Sequence, residues 1–116
     1  MSTRQSTIDY LLEQIDDAGV ITSRKMFGEY AVYCDGKVIA LVCDDQVFIK
    51  PTPEGRAFVG EVVEGYPFPG AKPWIAVSGD QWDNRRWASQ LVAVTAAALP
   101  EPVIRRRRKR RTPLGS

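Results

Sequence analysis

Arg24-Lys25-Met26-Phe27-Gly28-Glu29-Tyr30-Ala31-Val32-Tyr33-Cys34-Asp35-Gly36-Lys37-Val38-Ile39-Ala40-Leu41-Val42-Cys43-Asp44-Asp45-Gln46-Val47-Phe48-Ile49-Lys50 decides the fold. Apolar runs at 31–34, 38–43 and 47–49 are separated by breaks at Asp35-Gly36 and Asp44-Asp45. Asp35-Gly36 is a strong hairpin signal, because Gly36 accepts positive φ without steric penalty and Asp35 tolerates the left-handed region. Asp44-Asp45 supplies a second reversal. Three β segments joined by two short turns make a meander. Gly28 is read as a bulge or a backbone conformation that a Cβ would resist.

Segments 30–35 and 37–43 are apolar on both faces, which calls for cover on both sides of the sheet. A helix is expected on one face, and another helix or a partner chain on the other. Gln46 to Lys50 alternates less cleanly and is read as lying nearer an edge.

The flanks supply cover. On the N-terminal side, Ile8, Leu11, Leu12 and Ile15 recur at helical spacing, with Ser6 or Thr7 as N-cap and an end near Asp17 and Gly19. Val20 to Lys25 reads as a short strand or an extended approach. On the C-terminal side, Thr52-Pro53-Glu54 signals a helix running to about Val63. Three prolines between positions 67 and 73 make that segment an irregular loop, with Tyr66 and Phe68 to pack it. Trp74 to Val77 is a last strand. A long helix then follows from an Asp80 cap, with Trp82, Trp87, Leu91, Val94 and Leu99 as its apolar stripe. The predicted class is α+β, an antiparallel β-meander sheet covered by N-terminal and C-terminal helices.

A chain of 116 residues suits one domain plus a tail. The expected division is residues 1–102 as the domain and residues 103–116 as a disordered basic tail. Arg105, Arg106, Arg107, Arg108, Lys109, Arg110 and Arg111 are seven consecutive cations. Residues 1–104 hold nine Lys/Arg against fourteen Asp/Glu, a net of −5. The overall +2 therefore hides an acidic body and a strongly basic tail. A block of that kind neutralises phosphates without reading sequence, in a salt-dependent way. It is the candidate nucleic-acid contact, and the alternative reading adds Arg24, Lys25, Arg85 and Arg86 to form a direct DNA- or RNA-binding surface.

Catalysis finds little support. The sequence has no histidine, no Gly-x-Ser-x-Gly elbow, no phosphate loop and no dinucleotide fingerprint. Asp16-Asp17 and Asp44-Asp45 read as solvated pairs. Cys34 and Cys43 lack an obvious base, fall out of cross-strand register with each other, and are too few to form a zinc site. No catalytic residue, cofactor or metal is expected. No apolar run approaches the length of a membrane-spanning helix, and a cytoplasmic location is expected.

Arg24-Lys25-Met26-Phe27-Gly28, followed by Tyr33, Asp35-Gly36, the apolar strand 38–43 and Phe48-Ile49-Lys50, resembles the N-terminal domain of the TfoX/Sxy family. The likeness continues through Thr52 to Phe58, the Tyr66 to Trp74 loop and the helix after Asp80. The hallmark residues are Arg24, Met26, Phe27 and Gly28. This resemblance implies a link to transcriptional regulation and natural competence, and brings no catalytic residues. It also implies a stand-alone N-terminal domain, without the helical C-terminal domain of the full-length regulator. The resulting expectation is a small non-enzymatic regulatory or adaptor domain acting through protein contact. Its partners are an unidentified protein, a second copy in a homodimer, and nucleic acid held nonspecifically by the tail.

Overall fold

The computed structural model describes residues 3–26 and 29–100. Helix α1 (Gln5–Gln14) and a 3₁₀ turn (Asp16–Ala18) lead into β1 (Ile21–Met26), β2 (Glu29–Cys34), β3 (Lys37–Cys43) and β4 (Gln46–Ile49). Then come α2 (Pro53–Val59), β5 (Val63–Gly65), β6 (Trp74–Val77), α3 (Gly79–Asp83) and α4 (Arg85–Ala98). The strands form one antiparallel six-stranded sheet in the order β1-β2-β3-β4-β6-β5. The α+β architecture and the meander are as the sequence predicts.

Both hairpin turns use left-handed backbone. Asp35 and Gly36 have φ of 53° and 84°, and Asp44 and Asp45 have 54° and 61°. Such geometry matches the right-handed twist of the flanking strands, so the chain reverses without splaying them. Between β2 and β3 the register shifts, so Val32 faces Ala40 while Tyr33 faces Val38. Ile39 is the extra residue of this bulge, and both it and Ala40 enter the core.

The helices lie on one face of the sheet. Ile8, Leu11 and Ile15 of α1 and Ala88, Leu91 and Val92 of α4 fall at spacings of three and four, so each set forms one stripe. They pack on Val32, Ala40, Val42, Ile49 and Ile75. Full burial of a side chain such as Leu91 stabilises by roughly 1.5–3 kcal/mol, and about a dozen of comparable size share this layer. Trp82 of α3 is buried, and its indole N–H donates to Leu11 O at 3.2 Å, which fastens α3 to α1. Thr95 is fully buried in α4, and its hydroxyl lacks a hydrogen-bond partner among the described residues.

Several local expectations are corrected. β4 lies inside the sheet, between β3 and β6, and three of its four residues are buried. Its weak alternation reflects cover on both faces rather than an edge. The helix after Pro51 stops at Val59, where Gly60 turns at φ 83°, and residues 63–65 form the edge strand β5. Three residues carry too little period to announce a strand. The expected long final helix is two helices broken at Asn84, whose Oδ1 accepts from Trp87 N at 3.1 Å and so caps α4. Ser78 rather than Asp80 caps α3, in a reciprocal box with Gln81. Neither Ser6 nor Thr7 is the N-cap residue of α1. The helix starts from Arg4, whose backbone N–H donates to the Asp45 carboxylate at 3.1 Å across the sheet's end.

Candidate interaction surface

The face opposite the helices can be built from the register. Arg24, Ala31, Leu41, Phe48, Ala76 and Val63 are successive cross-strand partners and form one row across all six strands. Side chains alternate along each strand, so this row points away from the helix-side row of Val32, Ala40, Ile49 and Ile75. Ala31 and Phe48 are buried although they lie on the face away from the helices. β5 brings Gly65 beside Phe48, and the loop that follows brings Pro67 and Phe68 beside Leu41. Gly65 lies against the Phe48 ring, and a Cβ there would come within 2.6 Å of Phe48 Cε1. A side chain at this position would force the ring to shift.

Towards β1 the cover opens into a groove of about 390 Å³, lined by Met26, Glu29, Tyr30, Leu41, Cys43, Pro67 and Phe68. Its lining is almost wholly apolar. Four of the large apolar side chains left exposed belong to this face and its loop, namely Met26, Val63, Tyr66 and Phe68. An exposed apolar groove of this kind marks a place where another molecule packs.

One rim of the groove is acidic and rigidly held. The Glu29 carboxylate accepts from Asp44 N at 3.0 Å and from the Thr3 hydroxyl at 2.7 Å. Thr3 Oγ1 accepts in turn from Asp45 N at 3.2 Å, so Glu29, Asp44 and Asp45 are tied into one corner. The Arg4 backbone N–H, then the Thr7 hydroxyl, hold the Asp45 carboxyl below its ordinary value of 3.8.

Neither cysteine has the environment of a nucleophile. Cys34 lies opposite Lys37, as the turn implies, and burial followed by the Asp35 charge pushes its thiol up. Burial, then Glu29, does the same to Cys43 in the groove. Activation would need a shift in the other direction. Both cysteines are free. No cluster of His, Cys, Asp or Glu able to hold a metal occurs among the described residues.

Of the hallmark positions, Met26 lines the groove and Arg24 lies in the open-face row, while Phe27 and Gly28 fall outside the described residues. The tail Arg105, Arg106, Arg107, Arg108, Lys109, Arg110 and Arg111 also falls outside them, as does the expected division at residue 102. The four body cations do not form one patch. Arg24 and Lys25 are adjacent in an extended strand and point to opposite faces. Arg85 sits in the helix layer, its guanidinium 2.7 Å from Asp16 and 3.9 Å from Asp17, with Arg86 beside it. Sequence reasoning missed the groove as a site. Its signals are the two-sided apolar strands and Phe68 of the proline-rich loop, but nothing local shows that they meet.

A family model described as the TfoX N-terminal domain matches residues 13–99 of the 116. The chain belongs to that family. The match takes in the whole sheet and the α2 to α4 layer, and its range includes Arg24 to Gly28. A relative from Spirochaeta aurantia, described as an uncharacterized 12.7 kDa protein in the trpE 5′ region, is 39% identical over 114 residues. That alignment covers 97% of this chain and 96% of the relative. Among the described residues of this TfoX N-terminal domain, no helix is long and apolar enough to cross a membrane.

Proposed function

We propose that this TfoX N-terminal domain is a small non-enzymatic regulatory or adaptor module that acts in the cytoplasm through protein contact. The observation that carries the reading is the apolar groove between β1, β3 and the Pro67–Phe68 loop. Helices cover the other face of the sheet, and among the described residues none covers this one. The family's link to the regulation of competence supports a regulatory setting. The tail contributes nonspecific attraction to nucleic acid and keeps the module near it.

A second reading makes the chain a direct nucleic-acid binder using the tail together with Arg24, Lys25, Arg85 and Arg86. Seven consecutive cations favour it. The ion pairs of Arg85 with Asp16 and Asp17 weigh against it, because a guanidinium so engaged must exchange partners to reach a phosphate.

Titration of fluorescently labelled duplex DNA across a salt series separates the two. The intact chain is expected to bind with a steep salt slope, and a chain lacking residues 103–116 is expected not to bind. Sequence-selective binding by the shortened chain would replace the first reading with the second.

A further inference from the structure

The groove has features that select its occupant. It is apolar along Met26, Leu41, Cys43 and Phe68, and acidic at one end where Glu29 meets the Asp44-Asp45 turn. A matching ligand carries a short apolar segment followed directly by cations. The chain itself contains one such segment. Pro102-Val103-Ile104 runs straight into Arg105-Arg106-Arg107-Arg108. The remainder of the chain, residues 1–104, has a net charge of −5, so attraction between tail and body is general as well as local.

Reach decides which copy supplies it. The end of α4 is held at the β2–β3 turn, where Lys37 Nζ donates to Ala96 O at 2.9 Å. The groove lies at the other end of β3, beside Cys43, and on the opposite face of the sheet. Six residues of β3 span about 20 Å, and passing round the sheet from the helix layer adds about 10 Å. The five residues from Ala98 to Val103 extend to at most about 18 Å. Val103 therefore falls short of its own groove, whereas a neighbouring molecule faces no such limit.

We propose that the groove receives the Val103–Arg108 segment of a second copy of this chain. Val103 and Ile104 pack between Met26, Leu41 and Phe68, and the arginines that follow lie against Glu29 and Asp44, because the Asp45 carboxylate is already paired with Arg4 at 3.4 Å. Reciprocal exchange of the two segments closes a two-fold dimer with two identical contacts. The inference rests on the protein-contact reading above and names the partner. While the arginines occupy the acidic rim they are withheld from phosphates, so a polyanion and the partner's groove compete for the same segment.

The test uses the full chain carrying Ile104→Cys, exposed to a mild thiol oxidant. The expected product is a covalent dimer whose peptide map shows a disulfide between Cys43 and the thiol introduced at position 104. That dimer should be abolished by adding Cys43→Ser, and reduced several-fold in about 0.5 M salt, where the Debye length falls below about 5 Å. An internal link within a monomer, a link between two introduced thiols alone, or no link would each overturn the proposal. Light scattering on the chain without the introduced thiol gives the second arm. Met26→Glu on the groove and Val103→Ser/Ile104→Ser on the segment should each weaken dimerisation at least tenfold. Met26 is a partly exposed strand residue, so its variant is expected to fold. A dimer that survives both changes, or a wild-type chain that stays monomeric at millimolar concentration, would also sink it. Failure here while the shortened chain still ignores DNA would remove only the dimer and leave the protein-contact reading standing.

Discussion

The two faces of the sheet are built from the same strands and meet different fates. On the helix side, Ile39, Ile49 and Ile75 are 0% exposed beneath α1, α2 and α4. On the other side, Met26 is 41% exposed, Phe68 51% and Val63 66%. Hydrophobic composition alone is therefore a poor guide to which face holds the fold together. Covering elements decide it. Amphipathic helices pack along one face, whereas on the other a short edge strand and a proline-rich loop reach Phe48 and Leu41 and leave the groove open. One face supplies stability and the other has surface to spare for binding.

The sharpest way to break this contrast is on the helix side. Trp82→Ala should destabilise by about 3–5 kcal/mol in urea unfolding, since it opens a large cavity and orphans Leu11 O. A loss under about 1 kcal/mol would mean that α3 is not integral to the core. Gly65→Ala tests the open face where it is covered. The added methyl must displace the Phe48 ring, and a loss of about 1–3 kcal/mol is expected, together with greater solvent exposure of that ring. Stability unchanged by this substitution would show that Phe48 moves aside freely.

Thr95→Val probes the helix layer in the other direction. Removing a buried hydroxyl without a partner should leave stability unchanged or raise it by up to about 1 kcal/mol. A clear loss would reveal a hydrogen bond to that oxygen. Asp45→Asn examines how the helix layer is fastened to the sheet. The Asp45 pKa is depressed in the folded state, so its contribution is fully present above 3.8 and is lost as pH falls through the lower folded value. Melting temperatures of the wild type and variant should differ near pH 6 and converge as pH drops below about 4. A gap that persists in acid would assign the effect to shape rather than charge. Smallest of all, Phe68→Ser on the open face should change stability by less than about 0.5 kcal/mol, while reducing binding of a hydrophobic dye. A larger loss would place Phe68 in the core of the fold.

Much of this fold is legible in the sequence. The Asp35-Gly36 turn, the meander, the helical stripe of Ile8, Leu11 and Ile15, and the Thr52-Pro53 start of α2 all follow from local chemistry. What is not legible involves partners distant in the chain. Asp45 serves α1 from 41 residues away, an interaction that no pattern around Ser6 or Thr7 could display. β4 reads as peripheral because β6, its second neighbour, is separated from it by a helix, a strand and a loop. Asn84 breaks one expected helix into two, and nothing in its immediate neighbours signals whether an asparagine will cap or be carried within a helix.

The groove follows the same division. Residue type alone dictates that both faces of β2 and β3 are apolar and that a proline-rich loop carries Tyr66 and Phe68. Those properties reside in side-chain chemistry and in the two-residue period of a strand, and they are local. Packing settles that the helices cover one face. It also brings Pro67 and Phe68 beside Met26, Leu41 and Cys43, and fixes Glu29 at the rim through the Asp44-Asp45 turn. Each element's position there is set by the joint burial of all the others. A site made where two uncovered edges meet exists only once that competition for cover has been resolved.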